Sequence, residues 1–423
     1  MKYIVALLFI GGSLTMNAQI PDKAYQKIES KVIEWRHDIH QHPELSNREF
    51  RTAKKVAEHL QSLGLEVETG VAHTGVIGLL KGKKPGKVVA LRADMDALPV
   101  EERNDLPYRS KETGEFMGKT VPVMHACGHD THVAILMGVA EVLSQNNDFA
   151  GSVKFIFQPA EEGPPPGETG AAKMMVEQGV LKNPDVDAIF GLHISSGTPV
   201  GQINYKPGGT MAASQRFVIQ IKGKQAHGST PWQSIDPIVV AAQIVDGLQT
   251  LVSRNSDLTK EAAVVSVGSI HGGVRFNIIP EDVEMIGTIR TLDPDMKEVI
   301  RERMKVLVPS IAEAYGAKAT VDIQDGTAIT YNDKALTKQM LPTLVKVAGK
   351  ENVNLINAIT GAEDFSYYQQ EVPGLFFFLG GTPLDMDPKL APSHHTPDFF
   401  VDDSGMLLGV KALSQLTLDY LAK

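Results

Sequence analysis

Five polar clusters in this 423-residue sequence hold residue types that bind metals or move protons. They are Asp94 and Asp96 in RADMDALP, Cys127 and His129 in MHACGHDTH, Glu161-Glu162 in QPAEEG, His193 in GLHI, and His394-His395 in PSHHTPDFF. Thiolate, imidazole and carboxylate together suit zinc, and also manganese, cobalt or nickel. The donor supply exceeds what one tetrahedral ion needs. Two ions sharing an anionic bridge, at roughly 3.5–4 Å separation, would use it. Adjacent acids can divide the labour, one binding metal while the other takes a proton from water. Cys127 is the only cysteine. Packing is the default for a free cysteine, but Gly128, His129, Asp130 and His132 are poor material for an apolar interior. A cysteine nucleophile with His129 as its base stays open, although it leaves the surplus carboxylates unexplained.

These residues need elements to hold them. Ile28, Val32, Trp35 and Ile39 recur at helical spacing, as do Phe50, Ala53, Val56, Ala57, Leu60 and Leu63. Gly75–Leu80, Lys87–Leu91, KFIFQP and DAIFGLH read as strands, and Val133–Leu143 and AAKMMVEQGVL as helices. Strands alternating with helices predict an α/β domain with a largely parallel sheet, whose ligands collect at the carboxyl ends of the strands. Four of the clusters fall just past such strands or in the loops between elements. After Pro207 the pattern becomes strand, helix, strand, strand, helix, strand, the split βαβ order. The economical organisation is a leader over residues 1–18, a discontinuous domain over 19–208 and 325–423, and a smaller α+β domain inserted at 209–324.

Composition bounds the function. Hydrophobic content of 43% and charged content of 22% are ordinary for a globular protein, and the net charge of -9 argues against a nucleic-acid partner. MKYIVALLFIGGSLTMNAQ places Lys2 before an apolar stretch that ends in small and polar residues. That pattern predicts a secretory leader cleaved near Ala18, with export to a periplasmic or extracellular space and no stable membrane insertion afterwards. An oxidising compartment would leave Cys127 without a disulfide partner, which favours a metal to hold it.

Taken together, MHACGHDTH, QPAEEG, GLHI, HTPDFF and RADMDALP resemble the M20 metallopeptidase family. The branch they are most similar to includes hippurate hydrolases, N-acyl-amino-acid deacylases and auxin-conjugate hydrolases. The resemblance extends to WRHDIHQHPELSNRE near the start and to the inserted segment. It implies a zinc-peptidase-like catalytic domain with an inserted ferredoxin-like lid or dimerisation domain. It also implies two divalent ions held by Cys127, His129, Glu162, His193 and His395, with Cys127 shared between them. His395 is preferred to His394 because it stands directly before Thr-Pro. The resemblance makes Glu161 the general base and Asp96 an orienting acid beneath the site. His227 in GKQAHGSTP would polarise the scissile carbonyl from a partner subunit, so a homodimer through the inserted domain is implied. Asn277 and Arg290, in FNIIPEDVEMIGTIRT, would grip substrate oxygens; an arginine fork suits a carboxylate. The implied activity is hydrolysis of an N-acyl amino acid or short peptide. A dipeptidase or aminopeptidase, and an exported binding protein with a retired site, are the rivals. GPPPGETGA after the paired glutamates departs from the short glycine run usual in that branch and reshapes the pocket rim.

Overall fold

The computed structural model describes residues 20–423; the leader predicted over 1–18 lies outside them. Among the described residues no helix is long and apolar enough to cross a membrane. An eight-stranded mixed sheet forms the centre, in the order Glu66–Val71, Gly75–Lys81, Ala150–Gln158, Lys84–Asp94, Ala188–Pro199, Gly374–Thr382, Ile203–Tyr205, Val353–Leu355. The four middle strands run parallel, and antiparallel pairings flank them.

Their sequences explain their place. In Lys84–Asp94 every residue from Val88 onward is buried, as expected of a strand covered on both faces. Alternation then sorts side chains between two layers. Val89, Leu91 and Ala93 face the helices His129–Gln145 and Met406–Leu421, whereas Val88 and Ala90 face Ala172, Met175 and Tyr368. His129–Gln145 is buried on all sides from His129 to Leu143, so its first turn is fixed under the sheet's carboxyl edge.

A second, four-stranded antiparallel sheet is ordered Ala263–His271, Asp282–Thr291, Ala213–Lys222, Lys318–Asp325. With the helices Pro237–Ser253 and Pro294–Ala314 it completes the βαββαβ order. Both helices start at Asp-Pro: Asp236 and Asp293 accept hydrogen bonds from the backbone N–H of Ile238 and Met296, with proline in the first turn. Phe217, Ile219 and Ile221 alternate onto Ile244, Leu248, Ile300 and Met304, a core separate from that of the large sheet.

One predicted boundary differs, and three strands have no counterpart in the sequence reading. The strand expected to stop at His193 continues to Pro199, so His193 lies inside a strand rather than beyond its end. The strand Glu66–Val71 and the hairpin Thr113–Phe116/Lys119–Pro122 carry too few buried residues to give an apolar run in sequence.

Candidate metal centre

The strand ends and one tight turn bring the five clusters together around a cavity of about 670 Å³ lined by Cys127, Glu161, Glu162, His193, His394 and His395, among others. Gly128 makes the turn between the cysteine and the helix. Its φ is +93°, and a Cβ there would stand 2.3 Å from Ile194 Cγ2. Asp94 ends its strand, and Asp96 follows two residues later. Asp96 is a hub: it accepts hydrogen bonds from the backbone N–H of Glu161 (3.0 Å) and Glu162 (3.1 Å) and from the Ser46 hydroxyl (2.7 Å). It thereby fixes the paired glutamates, while its own carbonyl accepts from His129 Nδ1 at 2.9 Å.

Each histidine's outer nitrogen decides what its inner one can do. His129 donates through Nδ1, leaving Nε2 buried with no hydrogen-bond partner, 3.8 Å from Asp94 and from Glu161 and 4.0 Å from Glu162. His193 Nδ1 sits 2.6 Å from the Ile194 carbonyl and so carries the proton; Nε2 faces Cys127 Sγ at 3.4 Å. His395 Nε2 lies 3.3 Å from the same sulfur and 3.0 Å from Glu162. His394 also approaches the sulfur, Nδ1 standing 3.8 Å from Sγ, but both of its nitrogens have backbone partners. Its Nε2 accepts from the Ser196 N–H at 3.2 Å, and its Nδ1 points at the Cys127 carbonyl at 3.1 Å. His132, close by, is likewise saturated between Asp94 (2.6 Å) and the Ile194 N–H (2.8 Å). Cys127, His129, Glu162, His193 and His395 therefore keep donor atoms turned inward, and this donor set fits a cation.

The electrostatics also fit positive charge. Burial pushes the Cys127 thiol well above its usual range, and Glu162, Glu161 and Asp94 push it the same way. The cysteine-hydrolase alternative leaves these carboxylates, which all oppose a thiolate, without a role. Burial alone would lower His129, yet Asp94 and Asp96 hold it up at about 10. Burial raises the Glu161 carboxyl well above the carboxylate range, reinforced by Glu363, Glu162 and Asp364 and opposed by Arg92. Arg92, fully buried, is the counter-charge beneath the site. It reaches Asp94 (2.6 Å), Asp364 (2.9 Å), Glu363 (3.0 Å) and Gln158 (2.9 Å).

The predicted substrate residues are not all brought to this cavity. Arg290 donates to Ser214 at 3.0 Å, and Ser214 lines it. His227 and Asn277 instead adjoin each other, the Gly228 N–H donating to the Asn277 carbonyl at 2.9 Å. They follow and precede the far end of the strand pair whose near end is Ser214↔Arg290 and whose far end is Lys222↔Asp282. Eight residues of strand separate the two ends, on the order of 25 Å. Within one chain Asn277 and Arg290 stand at opposite ends of that strand pair.

Residues 90–419 match the model of Peptidase family M20/M25/M40. The chain belongs to that family. A thermostable carboxypeptidase of Saccharolobus solfataricus is 42% identical over 398 residues, covering 93% of this chain and 96% of the relative. An N-acetylcysteine deacetylase of Bacillus subtilis is 37% identical over 399 residues, covering 94% and 98%. A solved dinuclear metal-binding peptidase of the M20 family from Bacillus subtilis superposes with TM-score 0.77 at 34% identity, covering 94% of this chain and 99% of that one. This M20 protein is thus a metal-dependent hydrolase of the amidohydrolase and peptidase class. Arg92, His132 and Ser46 are not singled out by the sequence as site residues. The signal for Arg92 was a charge inside the apolar run VVALRAD.

Proposed function

We propose that this M20 hydrolase cleaves the amide bond of N-acyl amino acids, or of short peptides with a free carboxylate, using two divalent ions. Zinc or manganese suits the ligands, with cobalt or nickel as substitutes. The observation that carries the reading is that Cys127 gathers with His129 and Glu162 on one side and with His193 on the other, while His395 Nε2 faces both the sulfur and Glu162 and the Glu161 carboxyl lies beside them. When bound, the ions would lower the pKa of water and polarise the amide carbonyl. Glu161 takes the proton of the attacking water and returns it to the leaving nitrogen as the C–N bond breaks. Positive charge in the cluster offsets the neighbours that hold Glu161 protonated. Asp96 keeps both glutamates and His129 in register. Arg290, which donates to Ser214 in the cavity wall, holds the substrate carboxylate.

His227 and Asn277 would serve the cavity of a second copy. His227 Nδ1 accepts from the Ser229 N–H at 3.0 Å, so the proton sits on Nε2, ready to donate to a developing oxyanion. Trp232, Val274 and Phe276 are exposed near them in sequence, and Ala263–His271 is an open sheet edge; both support pairing of the 209–324 segment. The leader-like N-terminus supports export. The names of the relatives, a deacetylase and a carboxypeptidase, are consistent with substrates ending in a carboxylate. The test is turnover of an N-acetyl amino acid, the matching dipeptide and its amide. Hydrolysis that needs the free carboxylate supports the reading, and hydrolysis restricted to substrates with a free α-amine contradicts it.

A further inference from the structure

A second chamber of about 330 Å³ opens on the other side of Glu162 and Gly163, residues that also line the metal cavity. Its wall is mostly apolar, from Leu45, Leu98, Phe116, Met117 and the prolines of the departing loop, with Arg48 and Glu115 as its charged members. Phe116 comes from the hairpin that packs on Leu45, Ala97 and Val123. The proline-rich loop is latched. Glu168 accepts two hydrogen bonds from Arg48 (2.6 and 3.1 Å) and one from Asn47 (3.0 Å), and Asn47 also donates to the Thr169 carbonyl. A Cβ on Gly170 would meet Asn47 Oδ1 at 2.7 Å, so the loop lies close against its anchor. Three consecutive prolines with fixed φ add stiffness.

We infer that this chamber receives the acyl group of the substrate, and that it selects an apolar acyl chain longer than acetyl. The inference rests on the N-acyl amino acid reading. If Arg290 holds the carboxylate beside Ser214 and Glu161 works at the scissile bond, the acyl part continues past Glu162. The chamber offers no free cation to a carboxylate, because Arg48 is engaged by Glu168. Apolar surface and a fixed wall favour a hydrocarbon chain.

The test measures kcat/KM for N-acetyl, N-butanoyl and N-hexanoyl forms of one amino acid, in the wild type and in Phe116→Asp and Met117→Asp. Met117 is 72% exposed at the hairpin turn, so its substitution leaves the fold intact if Phe116→Asp does not. The wild type should gain about threefold to fourfold per added methylene until the chamber is full. Either variant should lower the hexanoyl-to-acetyl ratio by about tenfold. A flat acyl series with good N-acetyl turnover overturns the chamber assignment alone. So does a response of these variants to the amino-acid side chain instead of the acyl chain. Failure to hydrolyse any N-acyl amino acid overturns the underlying reading, and this inference with it.

Discussion

At the scale of residues, saturation sorts the histidines. His394 has both nitrogens engaged by backbone groups, whereas His395 turns Nε2 to the sulfur and to Glu162. His395→Ala should therefore lower the bound metal and cut turnover. His394→Ala should keep the metal while losing about 1 kcal/mol or more of stability, from the backbone partners it leaves unsatisfied. Elemental analysis and thermal melting distinguish them; equal metal content in both variants contradicts the assignment. Glu161→Gln keeps the shape of the side chain but cannot accept a proton. It should retain metal and lose about 10²–10⁴ in kcat, measured on whichever N-acyl amino acid turns over best.

At the scale of elements, the first turn of His129–Gln145 is anchored by a buried ionic cluster. Asp130 pairs with Arg36 at 2.8 Å and with His40 at 2.9 Å, tying this helix to Glu29–Gln41. Burial would raise Asp130, but the Arg36 charge and the His40 hydrogen bond outweigh it and hold the carboxyl well below its usual range. Burial would lower His40, but Asp130 outweighs it and holds the imidazole above its usual range. The depressed carboxyl gives stability that is fully present above about pH 4 and lost as pH falls through its folded value. The raised imidazole gives stability that is fully present below about pH 6.5 and lost as pH rises through its folded value. Asp130→Asn should thus cost most between about pH 4 and 6.5, on the order of 3–5 kcal/mol, and progressively less outside that window. Calorimetry across pH reads this; a penalty independent of pH would contradict it.

The same elements show what the sequence could carry. Cys127, His129, Glu161, Glu162 and His193 were legible because their residue types have few uses in such company, and strand ends gather ligands. Arg92 was not, since a buried charge inside an apolar strand has meaning only once Asp94, Glu363 and Asp364 are seen around it. The resemblance paired Asn277 with Arg290 but carried no direction; in the fold Arg290 lies near one end of the strand Asp282–Thr291 and Asn277 precedes its other end.

At the scale of the whole molecule, the trans role proposed for His227 and Asn277 predicts a second copy that brings them to the cavity beside Arg290. Mixing Glu161→Gln chains with His227→Ala chains tests it. In a mixed dimer one site would regain both Glu161 and a partner's His227, so random re-pairing of two dead variants should restore about a quarter of wild-type activity. No recovery, together with sedimentation as a monomer, would contradict the trans arrangement.

The most direct test of the central claim is the metal content of the purified chain and of Cys127→Ala, counted by elemental mass spectrometry alongside turnover. The account predicts about two divalent ions per wild-type chain, with metal and activity both falling when the sulfur is removed. A Cys127→Ala protein that still holds two ions and hydrolyses at the wild-type rate would contradict it.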